Sequence, residues 1–132
     1  MSIIMNRITL GIENIERTLN FYDTWLGVEP YELTTNQILY QMDNIVLAFV
    51  PLNKLADDAD VTRESEGFDG VILSRYVNSI KDVDQTLRDA ENAGGYLTKR
   101  ASKNSNDTYS GYFSDLDGHM WEVAFIGGDV PR

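Results

Sequence analysis

The sequence contains no cysteine and only one histidine, His119, among its 132 residues. The absence of cysteine excludes disulfides and every cysteine-based zinc, iron–sulfur or thiol-nucleophile mechanism. A single histidine also excludes a histidine-rich metal site within one chain. His119 follows the turn at Asp117-Gly118 and faces away from Glu122 by strand parity. We therefore interpret it as a turn residue and not as a metal ligand or general base.

Basic residues are scarce as well, and no apolar run is long enough to span a membrane. Eleven lysines and arginines against 21 aspartates and glutamates give a formal net charge of −10. This charge repels phosphate backbones and anionic lipid, so neither nucleic acid nor a membrane is an expected partner. Because the N-terminal residues also lack the pattern of a secretory signal, we predict a cytoplasmic protein. Its acidity serves solubility first, although it also suits a cationic small molecule.

The apolar residues that are present, 42% of the chain, are sufficient for one globular domain. Alternation over Arg7–Ile12 predicts a half-buried strand. A helix is predicted from Ile15, with Asn14 as its N-cap and Gly27 at its end. Three further strands are predicted at 29–34, 37–42 and 45–50, which gives the order βαβββ.

The second half repeats this order, which indicates an internal duplication. A strand at 71–77 and a helix capped by Ser79 precede three strands near 96–100, 109–114 and 119–125. The apolar stripe of the first helix matches that of the second at a shift of 68 residues, from Ile15 to Val83. The predicted layout is a module at 6–51, an acidic connector at 52–67 with a helical turn or two in 54–60, a second module at 68–126, and a polar loop at 102–108.

Two segments resemble a known family. The opening segment at 8–27, with Phe21-Tyr22 and Leu26-Gly27, and the closing segment at 111–123, with Asp115-Leu116-Asp117-Gly118, are similar to the vicinal-oxygen-chelate superfamily. That superfamily contains glyoxalase I, bleomycin-resistance proteins and extradiol dioxygenases. The resemblance covers nearly the whole chain and departs at Leu116, where proline is usual. It implies an α+β fold in which two βαβββ modules form a curved mixed sheet around a cleft. Such proteins often pair as homodimers, with the cleft within one chain or across two.

Metal-using members of that superfamily place ligands at four inward-pointing positions. The resemblance puts these positions on Arg7, Ala48, Ile72 and Glu122. Only Glu122 offers a donor atom, whereas a divalent transition ion needs at least about three. The positive charge of Arg7 also opposes a second cation nearby. We therefore expect no metal and no other cofactor.

The same positions suggest how a ligand is held. If Arg7 and Glu122 point at one volume, they form an ion pair. The pair either neutralises a buried carboxylate, or Arg7 presents donors to an anionic or carbonyl-bearing ligand that Glu122 orients. Strand parity adds further candidates, and the sequence leaves open the facing of two of them, Tyr40 and Tyr112. The predicted ligand-binding residues are Arg7, Thr9, Ser74, Tyr76, Tyr112, Met120 and Glu122.

The expected function is metal-free binding of a small organic molecule whose identity the sequence does not give. The bleomycin-resistance branch implies sequestration of a drug or metabolite as the role. The alternative is an enzyme: a divalent-metal-dependent lyase, isomerase or dioxygenase with ligands completed across a homodimer, or acid–base chemistry by Glu122. A third hypothesis is an interaction module whose cleft is filled with side chains.

Overall fold

The computed structural model describes residues 3–61, 68–104 and 107–127. It divides into two units, within residues 1–66 and 67–132. Each unit contains one four-stranded mixed sheet and has the element order βαβββ. The predicted α+β class and its two βαβββ modules are thus confirmed. Among the helices in the described ranges, none has the length and apolar content to cross a membrane.

The first unit has one sheet and two helices. Its strand order is β1-β4-β3-β2, with β1 parallel to β4 and the other neighbours antiparallel. The first helix begins after Asn14, whose side chain accepts the backbone N–H of Arg17, and ends at Gly27 in the left-handed conformation. The elements are β1 (Arg7–Ile12), α1 (Ile15–Leu26), β2 (Glu32–Leu33), β3 (Ile38–Gln41), β4 (Val46–Pro51) and α2 (Leu52–Ala59).

Aromatic packing holds α1 on this sheet. The ring of Tyr22 lies 4.3 Å from that of Phe49 on β4, and the ring of Tyr40 on β3 meets Phe49 edge to face. The Tyr40 hydroxyl donates to Asp23 at 2.8 Å. Burial raises the pKa of Tyr40, and the Asp23 hydrogen bond and charge raise it further. Tyr40 therefore belongs to the core beneath α1, which answers the question of facing that the sequence left open.

The second unit repeats the plan with strand order β5-β8-β7-β6, and β5 is parallel to β8. Its helix begins after Ser79, whose hydroxyl accepts the backbone N–H of Asp82. Val83 and Leu87 of this helix are buried, as are Trp121 and Val123 on the facing side of the sheet. The elements are β5 (Ile72–Tyr76), α3 (Ile80–Asn92), β6 (Tyr96–Lys103), β7 (Thr108–Ser114) and β8 (Met120–Ile126).

Several predicted bounds need correction. The first strand and first helix of the two modules correspond at a shift of 65 residues, from Asn14 to Ser79 at the helix caps, and not at 68. The strand expected at 29–34 contains only Glu32–Leu33. The loop expected at 102–108 loses residues at both ends, because β6 continues to Lys103 and β7 begins at Thr108; residues 105 and 106 lie outside the described part of the chain. The connector contains a complete helix, α2, which packs against β1 and β4.

Candidate functional site

Each sheet has a face turned away from the helix that packs on its aromatic core, and the predicted site residues lie on these faces. In the second unit, Trp121 and Val123 face α3, so their neighbour Glu122 points to the other side. The strand register puts Ser74 of β5 and Tyr112 of β7 directly beside Glu122. The structure thus brings three of the seven predicted residues together in one row.

Hydrogen bonds join this row. The Ser74 hydroxyl donates to Oε1 of Glu122 at 2.8 Å, and the Tyr112 hydroxyl donates to Oε2 at 3.2 Å. Burial raises the pKa of Tyr112, and the charge and hydrogen bond of Glu122 raise it further. Each carboxylate oxygen keeps a second lone pair, so Glu122 retains the capacity to accept a proton or a donor from a ligand.

Two other predicted residues share this face. Met120 lies opposite Ile72, and Tyr76 lies opposite Ala124. Met120 is half-buried, whereas the Tyr76 side chain is exposed. Along the strands, Met120 lies on one side of the Ser74–Glu122 pair and Tyr76 on the other, so the polar row has an apolar or aromatic side chain at each side.

The last two predicted residues, Arg7 and Thr9, lie in the first unit on the face of β1 turned away from α1. There they line a cavity of about 380 Å³, which α2 borders. Its other lining residues come from the turn before β3, the end of β4 and one side of α2, and they are Thr34, Asn36, Gln37, Val50, Lys54, Leu55 and Asp58.

Arg7 is held in this cavity by neutral partners. Its Nε donates to the Thr9 hydroxyl and its Nη2 donates to Oε1 of Gln37, both at 3.3 Å. The amide nitrogen of Gln37 donates in turn to the carboxylate of Glu32 on β2. Sequence reasoning missed Gln37 and Glu32. Alternation along the strand puts the side chains of Gln37 and Ile38 on opposite faces of the sheet. No local sequence pattern, however, indicates that the amide of Gln37 contacts Arg7.

Lys54 and Asp58 form an ion pair at the border of the cavity. Their N···O distance is 2.7 Å, and both side chains are at least half exposed. A pair of this kind at i and i+4 of a helix contributes little to stability. Because the two opposite charges are paired, they add no net charge to the border of the cavity.

The register tests whether these residues suit a divalent metal. Thr9 lies opposite Ala48 as Ser74 lies opposite Glu122, so Ala48 holds the place in the first unit that Glu122 holds in the second. A methyl group stands where a carboxylate would be needed. Across the part of the chain that the structure describes, no group of three or more His, Asp or Glu side chains is placed to hold a metal ion. The described residues at the four positions where metal-using relatives place ligands do not fit a divalent transition ion.

His119 lies in the turn between β7 and β8. Its Nδ1 is 2.7 Å from Oδ2 of Asp115, and the other carboxylate oxygen of Asp115 accepts the backbone N–H groups of Asp117 and His119. The Asp115 side chain is almost fully buried. His119 therefore has the turn role that its position in the sequence predicted, with a buried carboxylate as partner.

The predicted ion pair between Arg7 and Glu122 joins residues of different units and stays a prediction. So does the assignment of the seven residues to ligand binding, and so does the cleft. The structure shows the Arg7 guanidinium at a cavity in the first unit, and in the second unit the Glu122 carboxylate, which accepts hydrogen bonds from two hydroxyls.

Comparison with known proteins agrees with this architecture. Residues 4–123 match the family model described as Glyoxalase/Bleomycin resistance protein/Dioxygenase superfamily. A glyoxalase-related enzyme from Fulvimarina pelagi is 31% identical, with a TM-score of 0.86 over 92% of this chain and 86% of that one. No curated protein matches the sequence.

More distant structures share the fold. A hypothetical protein from S. aureus is 22% identical, with a TM-score of 0.81 over 95% of this chain and 94% of that one. A glyoxalase/bleomycin resistance protein/dioxygenase family enzyme from Burkholderia phytofirmans PsJN is 15% identical, with a TM-score of 0.85 over 94% and 99%. At these identities the likeness concerns the fold alone.

Proposed function

The chain belongs to the glyoxalase/bleomycin resistance protein/dioxygenase superfamily, and within it we propose that this protein binds a small organic molecule without a metal. The binding place is the cavity of the first unit, with Arg7 as the principal donor. Sequestration of a drug or metabolite is the proposed role. Binding, not turnover, is therefore the activity to test first.

One observation carries the proposal: Arg7 lines a cavity of about 380 Å³ in the first unit. The family resemblance adds that Arg7 falls at a position where metal-using relatives place a ligand. A cavity of this size lies within the usual range of small-molecule sites, about 300–1,000 Å³. Val50 and Leu55 give it apolar walls, and Thr9 and Asn36 add polar groups. A few polar groups on apolar walls are the usual means of orienting a small organic ligand.

The experiment is native mass spectrometry of protein purified without chelator, compared with the variant Arg7→Met. Methionine keeps a long side chain and removes the charge and the donors. We expect a small molecule to accompany the wild-type chain, or to be found by thermal-shift screening of organic acids, amides and amines, and to be lost in Arg7→Met. Arg100→Met is the matched control, because Arg100 is exposed on β6 in the other unit. A ligand retained by Arg7→Met contradicts the proposal.

An enzyme is the second candidate, and the row around Glu122 favours it. Ser74 and Tyr112 fix both oxygens of this carboxylate, which is the kind of positioning that proton transfer requires. The relative from Fulvimarina pelagi is described as an enzyme. If the wild-type chain converts a small molecule to a product, Glu122→Gln should abolish that conversion. Binding by the wild-type chain without any product favours the first candidate.

Homodimer formation and a cytoplasmic location remain proposals. The family resemblance supports the first, and the acidic composition agrees with the second. The same native spectrum reports the number of chains in the particle. A monomer at micromolar concentration contradicts the proposed dimer.

A further inference from the structure

We infer that the cavity of the first unit selects a molecule that carries a carboxylate, and that Gln37 sets this preference by keeping Arg7 out of an ion pair with Glu32. The inference rests on the proposed function, and it names the chemical class of the ligand. Gln37 is a specificity-determining residue in this account.

The amide of Gln37 stands between two opposite charges. Its oxygen accepts from Nη2 of Arg7 at 3.3 Å, while its nitrogen donates to the carboxylate of Glu32. A primary amide has one accepting end and one donating end, so it satisfies both neighbours at once. The guanidinium thus meets a neutral oxygen where a carboxylate would have neutralised it.

The position of Gln37 is set by its own backbone and not by Arg7. Its N–H donates to the Thr34 hydroxyl at 3.1 Å, and its carbonyl accepts the backbone N–H of Thr34 at 3.0 Å. The same hydroxyl accepts the N–H of Asn36 at 3.0 Å. A side-chain hydroxyl that bonds the backbone in this way stabilises a turn. The amide is therefore presented to the cavity by a turn that closes between β2 and β3.

Arg7 keeps donors for a ligand. Of the five N–H groups that a guanidinium carries, the bonds to Thr9 and Gln37 use two. Both bonds are slightly longer than the usual range for N–H···O contacts, so neither holds the group strongly. A carboxylate can take two parallel N–H groups of a guanidinium, which makes it the best match for the donors that remain.

The side chains that line the cavity carry one more positive than negative charge although the chain is strongly acidic, and the Glu32 carboxylate lies across the Gln37 amide from Arg7. Lys54 and Asp58 cancel each other in their ion pair, which leaves Arg7 as the uncompensated charge among the residues that line the cavity. The net charge of −10 by itself would favour a cationic ligand. Charges farther than about 8 Å are largely screened at physiological salt. Glu32 is nearer, but its carboxylate is bonded to the Gln37 amide, so we expect the guanidinium in contact with the ligand to set the charge preference.

Three probes of one shape separate these possibilities: benzoate, benzamide and benzamidinium, which carry charges of −1, 0 and +1. We propose to titrate each into ¹⁵N-labelled full-length protein and to follow the Arg7 Nε–H and Gln37 side-chain NH₂ signals by NMR. Benzoate should shift both signals and bind at least about ten-fold more tightly than benzamide. Benzamidinium should leave the Arg7 signal in place.

Variants of Gln37 test its role. Gln37→Glu keeps the shape of the side chain and gives Arg7 a carboxylate partner, so benzoate affinity should fall by about ten-fold or more. Benzamide affinity should change by less than about three-fold, because no charge is at stake. Gln37→Met removes the amide that stands between Arg7 and Glu32, so the two charges can pair and the preference for benzoate over benzamide should shrink. A merely structural role for Gln37 would weaken benzoate and benzamide equally in both variants.

Circular dichroism and the melting temperature establish that each variant is folded. Should Gln37→Glu fail to fold, the ratio of benzoate affinity to benzamide affinity, compared between the wild type and Gln37→Met, still tests the role of Gln37. Equal binding of benzoate and benzamide, or an unchanged ratio in Gln37→Glu, overturns the inference. Failure of all three probes to shift the Arg7 and Gln37 signals overturns it as well. The proposed function fails separately, when Arg7→Met retains the ligand of the wild-type chain.

Discussion

Gly111 on β7 is predicted to tolerate no side chain, and alanine at this position should destabilise the second unit. A Cβ placed on Gly111 would lie 2.6 Å from Cδ1 of Leu87 on α3 and 2.9 Å from the backbone nitrogen of Ala101 on β6. The leucine tip can rotate, but the backbone of β6 cannot move without disturbing its pairing with β7. Absence of a side chain is what allows α3 and β6 to approach this strand.

The magnitude follows from overpacking of a filled core, which costs about 1–3 kcal/mol. For a chain of this size that corresponds to a fall in melting temperature of roughly 3–15 °C. Gly11 on β1 provides a matched comparison. The three atoms nearest to a Cβ at Gly11 all belong to the side chain of Leu52, so rotation of that side chain relieves the contact. Gly11→Ala should therefore cost less than about 1 kcal/mol.

Chemical and thermal denaturation of the two glycine variants, followed by circular dichroism, measure both effects. We expect Gly111→Ala to be clearly less stable than Gly11→Ala. Equal melting temperatures for the two variants, or a stabilised Gly111→Ala, would show that the backbone of β6 can yield to a side chain at Gly111.

Three further predictions concern hydrogen-bonded groups. Tyr40→Phe should cost about 1–2 kcal/mol through loss of the bond to the α1 carboxylate. The pKa of Tyr40 is raised in the folded chain, so the stabilising contribution of its hydroxyl is complete below pH 10 and decreases as the pH rises above that value. Above pH 10, the free energy of unfolding of Tyr40→Phe should therefore fall less steeply with pH than that of the wild-type chain. Glu122→Gln should lower the pKa of Tyr112 toward its ordinary value. The pKa is measured by ultraviolet titration of the tyrosines, with Tyr112→Phe identifying the signal of Tyr112. An unchanged pKa in Glu122→Gln would contradict the contact between Tyr112 and Glu122. His119→Ala should cost about 1–3 kcal/mol in denaturant unfolding, because the buried Asp115 loses its ring partner, and an unaltered midpoint would deny that pairing a structural role.

Local chemistry made part of the fold predictable. The strand Arg7–Ile12 has the predicted bounds, and both helices begin directly after the predicted caps, Asn14 and Ser79. A cap depends only on a side-chain oxygen and the next three residues, which the sequence shows directly. The module shift was wrong by three residues because an apolar helix stripe nearly repeats itself every three to four positions.

Features that depend on tertiary pairing were less predictable. The strand expected at 29–34 shrinks to Glu32–Leu33, since its length is set by the short stretch of β3 that it meets. Pairing with β7 makes β6 longer than predicted, because it continues through residues whose sequence shows no alternation of apolar and polar side chains. Strand parity predicted the faces of Ser74 and Glu122, whereas the facing of Tyr112 came from the pairing of β7 with β8, and the Gln37 amide depends on a turn that holds it beside Arg7.

Calorimetric titration of Ni²⁺ and Zn²⁺ into protein freed of metal by chelator shows whether the chain binds a divalent ion. We expect neither ion to bind with one-to-one stoichiometry, because the positions expected to hold ligands carry a guanidinium, two aliphatic side chains and one carboxylate already bonded to two hydroxyls. Saturable binding of one ion per chain, abolished by Glu122→Gln, would contradict this expectation.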